Sequence, residues 1–126
     1  MQNDNVKLKT DLKKRVYLYA LDIIHFLDKL NQKDLSVQIL AKQLLRSATS
    51  IGANIIEAQA SSSKKDFTNF FSYSLKSANE SKFWLGLIRD SNKADKNQAN
   101  KLLDETKELA NILGASILTL KGKNKC

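Results

Sequence analysis

Few side chains in this sequence could do chemistry, and their spacing limits what kind. The one histidine, His25, and the one cysteine, Cys126, cannot furnish a metal site between them, and the carboxylates are scattered. Helical ribonuclease toxins need an arginine and a histidine a few residues apart on one helix. Arg15 instead precedes His25 by ten residues, and neither Arg46 nor Arg89 has a histidine near it. Gly52, Gly86 and Gly114 fall inside helical patterns, so none builds a phosphate-cradling loop; they read as places where helix backbones approach each other. Cys126 has no partner for nucleophilic work. These absences predict a non-enzyme with no cofactor and no metal.

What remains is charge. The net charge is +8, and six of the eight excess charges lie at the two ends. Lys7, Lys9, Lys13, Lys14 and Arg15 stand against two aspartates in residues 1–15, and Lys121, Lys123 and Lys125 stand alone in residues 121–126. Eight cations that could contact phosphates make a candidate nucleic-acid footprint. The same pattern would serve solubility and complement a terminal helix dipole.

A second set of polar residues runs through an apolar segment: Gln43, Ser47, Ser50, Asn54, Glu57 and Ser61, in steps of four and three that place them on one helix face. Beside it run Val37, Ala41, Leu44, Ala48, Ile51, Ile55 and Ala58 at the same spacing. Short hydroxyls and amides next to a core stripe let a neighbouring helix come close and hydrogen-bond, a structural network more than a catalytic one.

The elements that position these residues are four helices. The chain has no proline and only four glycines, so little interrupts them. The first is predicted from about Leu8 to Leu30, with the stripe Leu12, Val16, Tyr19, Ile23, Phe26 and Leu30. Tyr17, Leu18, Leu21 and Ile24 fall off that stripe and leave the helix apolar almost all round, which predicts a second buried surface against another subunit. The second helix is capped by Asp34 or Ser36 and runs to about Ala60; the third opens at Ser63 and runs to about Asp90. The third carries the stripe Phe67, Phe71, Ser74, Ala78, Ser81, Leu85 and Ile88. The fourth is capped by Asp95 and stops at Gly122, with Leu102, Thr106, Leu109, Leu113, Ser116 and Leu120 as its stripe, widened by Leu103, Ala110 and Ile117.

Short connections favour antiparallel neighbours, so the expected architecture is all-α, an antiparallel up-down four-helix bundle, one domain over residues 1–126 with short basic terminal segments. An even number of helices brings the two basic segments to the same end. Pairing positions that sum to about 124 across the second turn sets Ser47 opposite Ser77, Ser50 opposite Ser74 and Asn54 opposite Phe70, and brings Arg46 within reach of Glu80 as an interhelix ion pair. No apolar run approaches the ~20 residues of a membrane span, no secretory leader pattern is present, and cysteine usage suits a reducing cytoplasm.

The segment from Gln43 to Glu57, Gln-Leu-Leu-Arg-Ser-Ala-Thr-Ser-Ile-Gly-Ala-Asn-Ile-Ile-Glu, resembles the signature of the bacterial 23S rRNA intervening-sequence proteins: Gln-x-x-Arg-[Ser/Ala]-x-x-Ser-[Ile/Val]-x-x-Asn-Ile-x-Glu-Gly. Lys65-Asp66-Phe67 and Lys76-Ser77-Ala78-Asn79-Glu80 extend the likeness, the latter to a Gly-Ser-x-x-Glu element. On these matches Gln43, Arg46, Ser47, Ser50, Asn54, Glu57, Ser77 and Glu80 form the motif's structural network. Three departures stand out: Ala58 and Lys76 replace glycines of the pattern, and Gln59 to Ser63 lack the arginine that often follows. The resemblance implies a four-helix bundle closed into a cyclic homo-oligomer, a homopentamer in relatives. A more distant set, the accessory variability proteins of diversity-generating retroelements, binds nucleic acid and a reverse transcriptase.

Two functions follow as expectations. The oligomer binds RNA, or DNA, through its clustered basic termini; alternatively it is an adaptor that docks a protein partner, with the basic ends serving solubility. No membrane partner is expected.

Overall fold

The structure, a computed structural model, describes the backbone of residues 4–122 and the side chains of residues 11–122. Four helices follow in order: α1 (Asp4–Asp28), α2 (Leu35–Ala60), α3 (Lys64–Asp90) and α4 (Lys96–Gly122). They pack in sequence as an up-down bundle. The α2–α3 and α3–α4 contacts are the most extensive, α1 leans mainly on α2, and α1 touches α4 least.

Local chemistry explains each boundary. Asp34 caps α2, its Oδ1 accepting from the amide of Val37 at 3.1 Å, and Ser63 caps α3 by accepting from the amide of Asp66 at 3.0 Å. Asp95 Oδ2 accepts from the amide of Gln98 at 2.9 Å before α4. At the end of α3, Asn92 takes a left-handed φ of 62°; its amide donates to Arg89 O and that of Lys93 to Ile88 O, which satisfies carbonyls the helix leaves open.

The first helix departs from its predicted bounds. It begins at Asp4 and ends at Asp28, two residues short of Leu30. The final turn tightens into bonds from Lys29 N to Phe26 O and Leu30 N to Leu27 O, and the Gln32 side-chain amide donates to Leu27 O and Leu30 O. Leu30 stays buried even though it lies past the helix end.

The core follows the four apolar stripes. Leu12, Val16, Tyr19, Ile23 and Phe26 on α1 meet Val37, Leu44, Ala48, Ile51 and Ile55 on α2; Phe71, Ala78, Leu85 and Ile88 on α3 meet Leu102, Leu109, Leu113 and Ile117 on α4, all buried. Ala41, Phe67, Ser116 and Leu120 are only half-buried, and Ala99 joins the core. Of the three internal glycines, only Gly52 marks a close approach: a Cβ there would stand 3.2 Å from Cγ2 of Val16, so its absence lets α1 settle on α2. The expectation fails for Gly86 and Gly114, where an added Cβ meets nothing within 4 Å.

Asp34 also fastens the end of the bundle, because its Oδ2 receives Lys93 Nζ at 2.8 Å from the α3–α4 connection. The lysine's hydrogen bond, with that from the Val37 amide, holds this carboxyl below the ordinary carboxylate range. Its stabilising contribution is therefore present at neutral pH and lost as pH falls below about 4. Asp34→Asn should flatten the fall of melting temperature with acidification; parallel curves for the two proteins would show that the pair contributes nothing.

Candidate nucleic-acid interface and the polar centre of the bundle

Near mid-height the four helices bring together the hydroxyls of Tyr19, Ser47, Ser81 and Thr106, all buried, and α3 adds a second buried hydroxyl at Ser74. Tyr19 Oη lies 2.7 Å from Thr106 Oγ1, and Ser47 Oγ lies 2.8 Å from Ser81 Oγ. Proton counting gives the chain a direction. Thr106 donates to Leu102 O at 2.6 Å and Ser81 to Ser77 O at 2.8 Å, so each has spent its one proton. Tyr19 must then donate to Thr106, and the one Ser47 proton is shared between Ser81 Oγ and the carbonyl of Leu44 at 3.3 Å. No buried side-chain nitrogen or oxygen among the described residues lacks a partner. Burial pushes the Tyr19 phenol up to about 12.

The partner of Ser47 is thus Ser81, one turn from the expected Ser77. Ser74 does not face Ser50 but donates to Ile51 O at 2.8 Å, and Ser50 and Asn54 bond within their own helix, to Arg46 O and Ser50 O. The cause is the tilt of each Cα–Cβ bond toward its helix N-terminus: between antiparallel helices both side chains lean away from the position opposite their own Cα, so touching residues sum to a larger number than facing backbones. Arg46 and Glu80 do not pair either. Glu80 Oε2 accepts from Trp84 Nε1 on its own helix at 3.0 Å, and Arg46 is exposed. Of the motif residues only Ser47 is buried; Gln43, Ser50, Asn54 and Ser77 are half-buried and Glu57 is exposed.

The predicted basic cluster is spread out. Lys13, Lys14 and Lys121 are exposed. Lys7 and Lys9 lie on α1, with side chains outside the described ones, and Lys123 and Lys125 lie outside the described residues. Arg15 must be removed from the free cations. Its Nε and Nη2 each bond a different oxygen of Glu105 at 2.7 Å, and Nη2 also reaches Glu108 at 3.0 Å. This two-pronged bond to Glu105, with the nearby Glu108 charge, raises the guanidinium further above its ordinary range. The same contacts set Lys14 level with the middle of α4, roughly 17 Å along the bundle from Lys121 at 1.5 Å per residue. The two glutamates were missed in the sequence, although Glu105 and Glu108, three apart, share a face of α4.

Elsewhere, His25 is exposed on α1. A cavity of about 320 Å³ opens between Phe26, Lys29 and Leu30 of the α1 end and Asn92, Ala94 and Gln98 across from it. Among the described residues no group of three or more metal-ligating side chains occurs, and no described helix is long and apolar enough to cross a membrane.

An up-down four-helix bundle, with short hydroxyls at its helix contacts and the Gln-x-x-Arg motif along its second helix, defines a class of small helical protein. The chain belongs to the 23S rRNA-intervening sequence protein family, whose model matches residues 9–115. It is similar to a solved structure from Bacteroides thetaiotaomicron, a protein of unknown function from the S23 ribosomal protein family. Identity is 33%, the match covers 84% of this chain and 97% of that one, and the TM-score is 0.78. No curated protein matches the chain.

Proposed function

We propose that this chain is a non-catalytic, self-associating bundle that binds RNA through the end where α1 begins and α4 finishes. The observation that carries the reading is the concentration of excess positive charge in residues 1–15 and 121–126, with Lys121 solvent-exposed at that end and Lys13 and Lys14 solvent-exposed farther along α1. Self-association is supported by α1, which leaves Tyr17 66%, Leu18 48% and Ile24 38% exposed, next to exposed Leu45 and Ile56 on α2. A cyclic arrangement, a pentamer by family likeness, would repeat the basic end once per copy.

Light scattering with and without a structured RNA, at two salt concentrations, tests both parts. Log affinity should fall linearly with log salt, by roughly 0.7 to 0.9 per phosphate neutralised. Replacing Lys7, Lys9, Lys13, Lys14, Lys123 and Lys125 with glutamine should weaken binding and flatten that slope. An oligomer that ignores RNA at low salt would favour the second reading, an adaptor for a protein partner, which the exposed Tyr73 and Phe83 of α3 support. A monomer would remove the assembly.

A further inference from the structure

Gly86 and Gly114 are unexplained by packing. Each sits inside a long helix, where glycine weakens the helix relative to alanine, and each has open space where a side chain would be. Both belong to a wider pattern. On α3, Lys65, Ser72, Asn79 and Gly86 recur every seven residues; on α4, Asn100, Lys107, Gly114 and Lys121 do the same. Residues seven apart share a helix face, and all eight are exposed or half-exposed. The two faces meet, because Arg89 Nη1 donates to Asn100 Oδ1 at 2.9 Å across the α3–α4 seam.

Carrying that register along the antiparallel pair sets Lys82 beside Lys107, Leu75 beside Gly114 and Thr68 beside Lys121. The result is an outer groove with lysines along its length, Thr68, Ser72, Asn79, Asn100 and the half-buried Leu75 between them, and two glycines in its walls. Neither seven-residue series contains a carboxylate. Among the described residues, none of Lys65, Lys82, Lys107 and Lys121 takes part in an ion pair. Of the acids close in sequence, Asp66 and Asp104 are exposed, while Glu108 is bonded to Arg15 and Asp90 to Arg89. Two neighbouring ammonium groups without a counter-charge repel, and a bound anion relieves that repulsion. From Lys107 to Lys121 the row spans roughly 21 Å, long enough for several phosphates of one strand.

We propose that this α3–α4 groove holds a nucleic-acid strand by its phosphodiester backbone, with Lys65, Lys82, Lys107 and Lys121 meeting phosphates and Gly86 and Gly114 letting the strand approach the helices. The inference rests on the reading of the protein as a nucleic-acid binder but puts contact on the flank of the bundle. That flank lies opposite the apolar α1–α2 side, so self-association through the latter leaves it open. Lys121 belongs to both surfaces; Lys82 and Lys107 belong to the groove alone.

The test is fluorescence anisotropy of labelled single-stranded oligouridylate and of its DNA counterpart across a salt series. Four proteins are compared: wild type, Lys82→Gln/Lys107→Gln, Gly86→Ala/Gly114→Ala, and the terminal-lysine variant above. Melting temperature serves as the folding control. The lysine pair should bind about tenfold more weakly, with a log–log salt slope smaller by about 1.5. The alanine pair should bind more weakly while melting no lower than wild type, since alanine favours helix and has room. Losses of equal size on RNA and DNA are expected of phosphate contacts, and a loss on one of them alone still supports the groove. Wild-type affinity and slope in both groove variants overturn the inference, and weakening of the terminal variant alone then leaves the end-on reading standing. Wild type that binds neither oligomer at low salt overturns both.

Discussion

Ser74→Leu should destabilise the bundle by roughly 1–3 kcal/mol, while Ser74→Ala should cost well under half as much. Ser74 has no solvent exposure and sits against the α2 backbone, its hydroxyl donating to Ile51 O at 2.8 Å. Ala48, Ala78, Ser47 and Ser81 surround this stretch of the α2–α3 contact, all buried, so nothing large separates the two axes. Leucine would have to push the helices apart and open the neighbouring contacts. Alanine keeps the volume and deletes one bond to a carbonyl that its own helix already satisfies. Ser47→Leu should behave like Ser74→Leu, because Ser47 meets Ser81 in the same tight seam. Urea denaturation at constant m-value measures the difference; similar small losses for leucine and alanine would mean that the seam has room to spare.

Thr106→Val should cost roughly 1–3 kcal/mol, because it removes the acceptor of the buried Tyr19 hydroxyl and keeps the shape. In a Tyr19→Phe background the same substitution should cost far less, since no donor is left to strand, and the shortfall in the double mutant measures the coupling. Additive losses would mean that the two hydroxyls are neighbours without a working bond. The same pair predicts alkaline behaviour. With the Tyr19 phenol pushed up to about 12, its contribution is whole below pH 10 and declines as pH rises from there toward 12. The loss runs at up to about 1.4 kcal/mol per pH unit. Tyr19→Phe should lose less stability over this window than wild type.

The register of α2 on α3 shows where sequence reasoning stops. Periodicity named the seven α3 stripe positions from Phe67 to Ile88, and six of them are buried. It could not pair Ser47 with Ser81, because facing backbones and touching side chains differ by the lean of two Cβ atoms. Arg46–Glu80 failed for a related reason. An exposed carboxylate takes whichever donor is nearest, and Trp84, one turn along the same helix, is nearer than a guanidinium on another. Arg15 looked like one of five basic terminal residues, and only the α1–α4 crossing revealed the two glutamates that hold it.

Helix count, the caps at Ser63 and Asp95, the up-down order and most positions of the buried stripes were determined by the sequence, because they depend on contacts within one turn or on a repeat that any helix imposes. Family membership was legible too, since a fifteen-residue run of spaced polar positions survives without coordinates. Tertiary structure alone decided which hydroxyls join across the centre, which cations pair with acids among the described residues and which glycines are not pressed by a neighbour. Those outcomes turn on shifts of one turn between helices far apart in sequence, and at one turn, about 5.4 Å, a hydrogen bond or an ion pair is either made or absent.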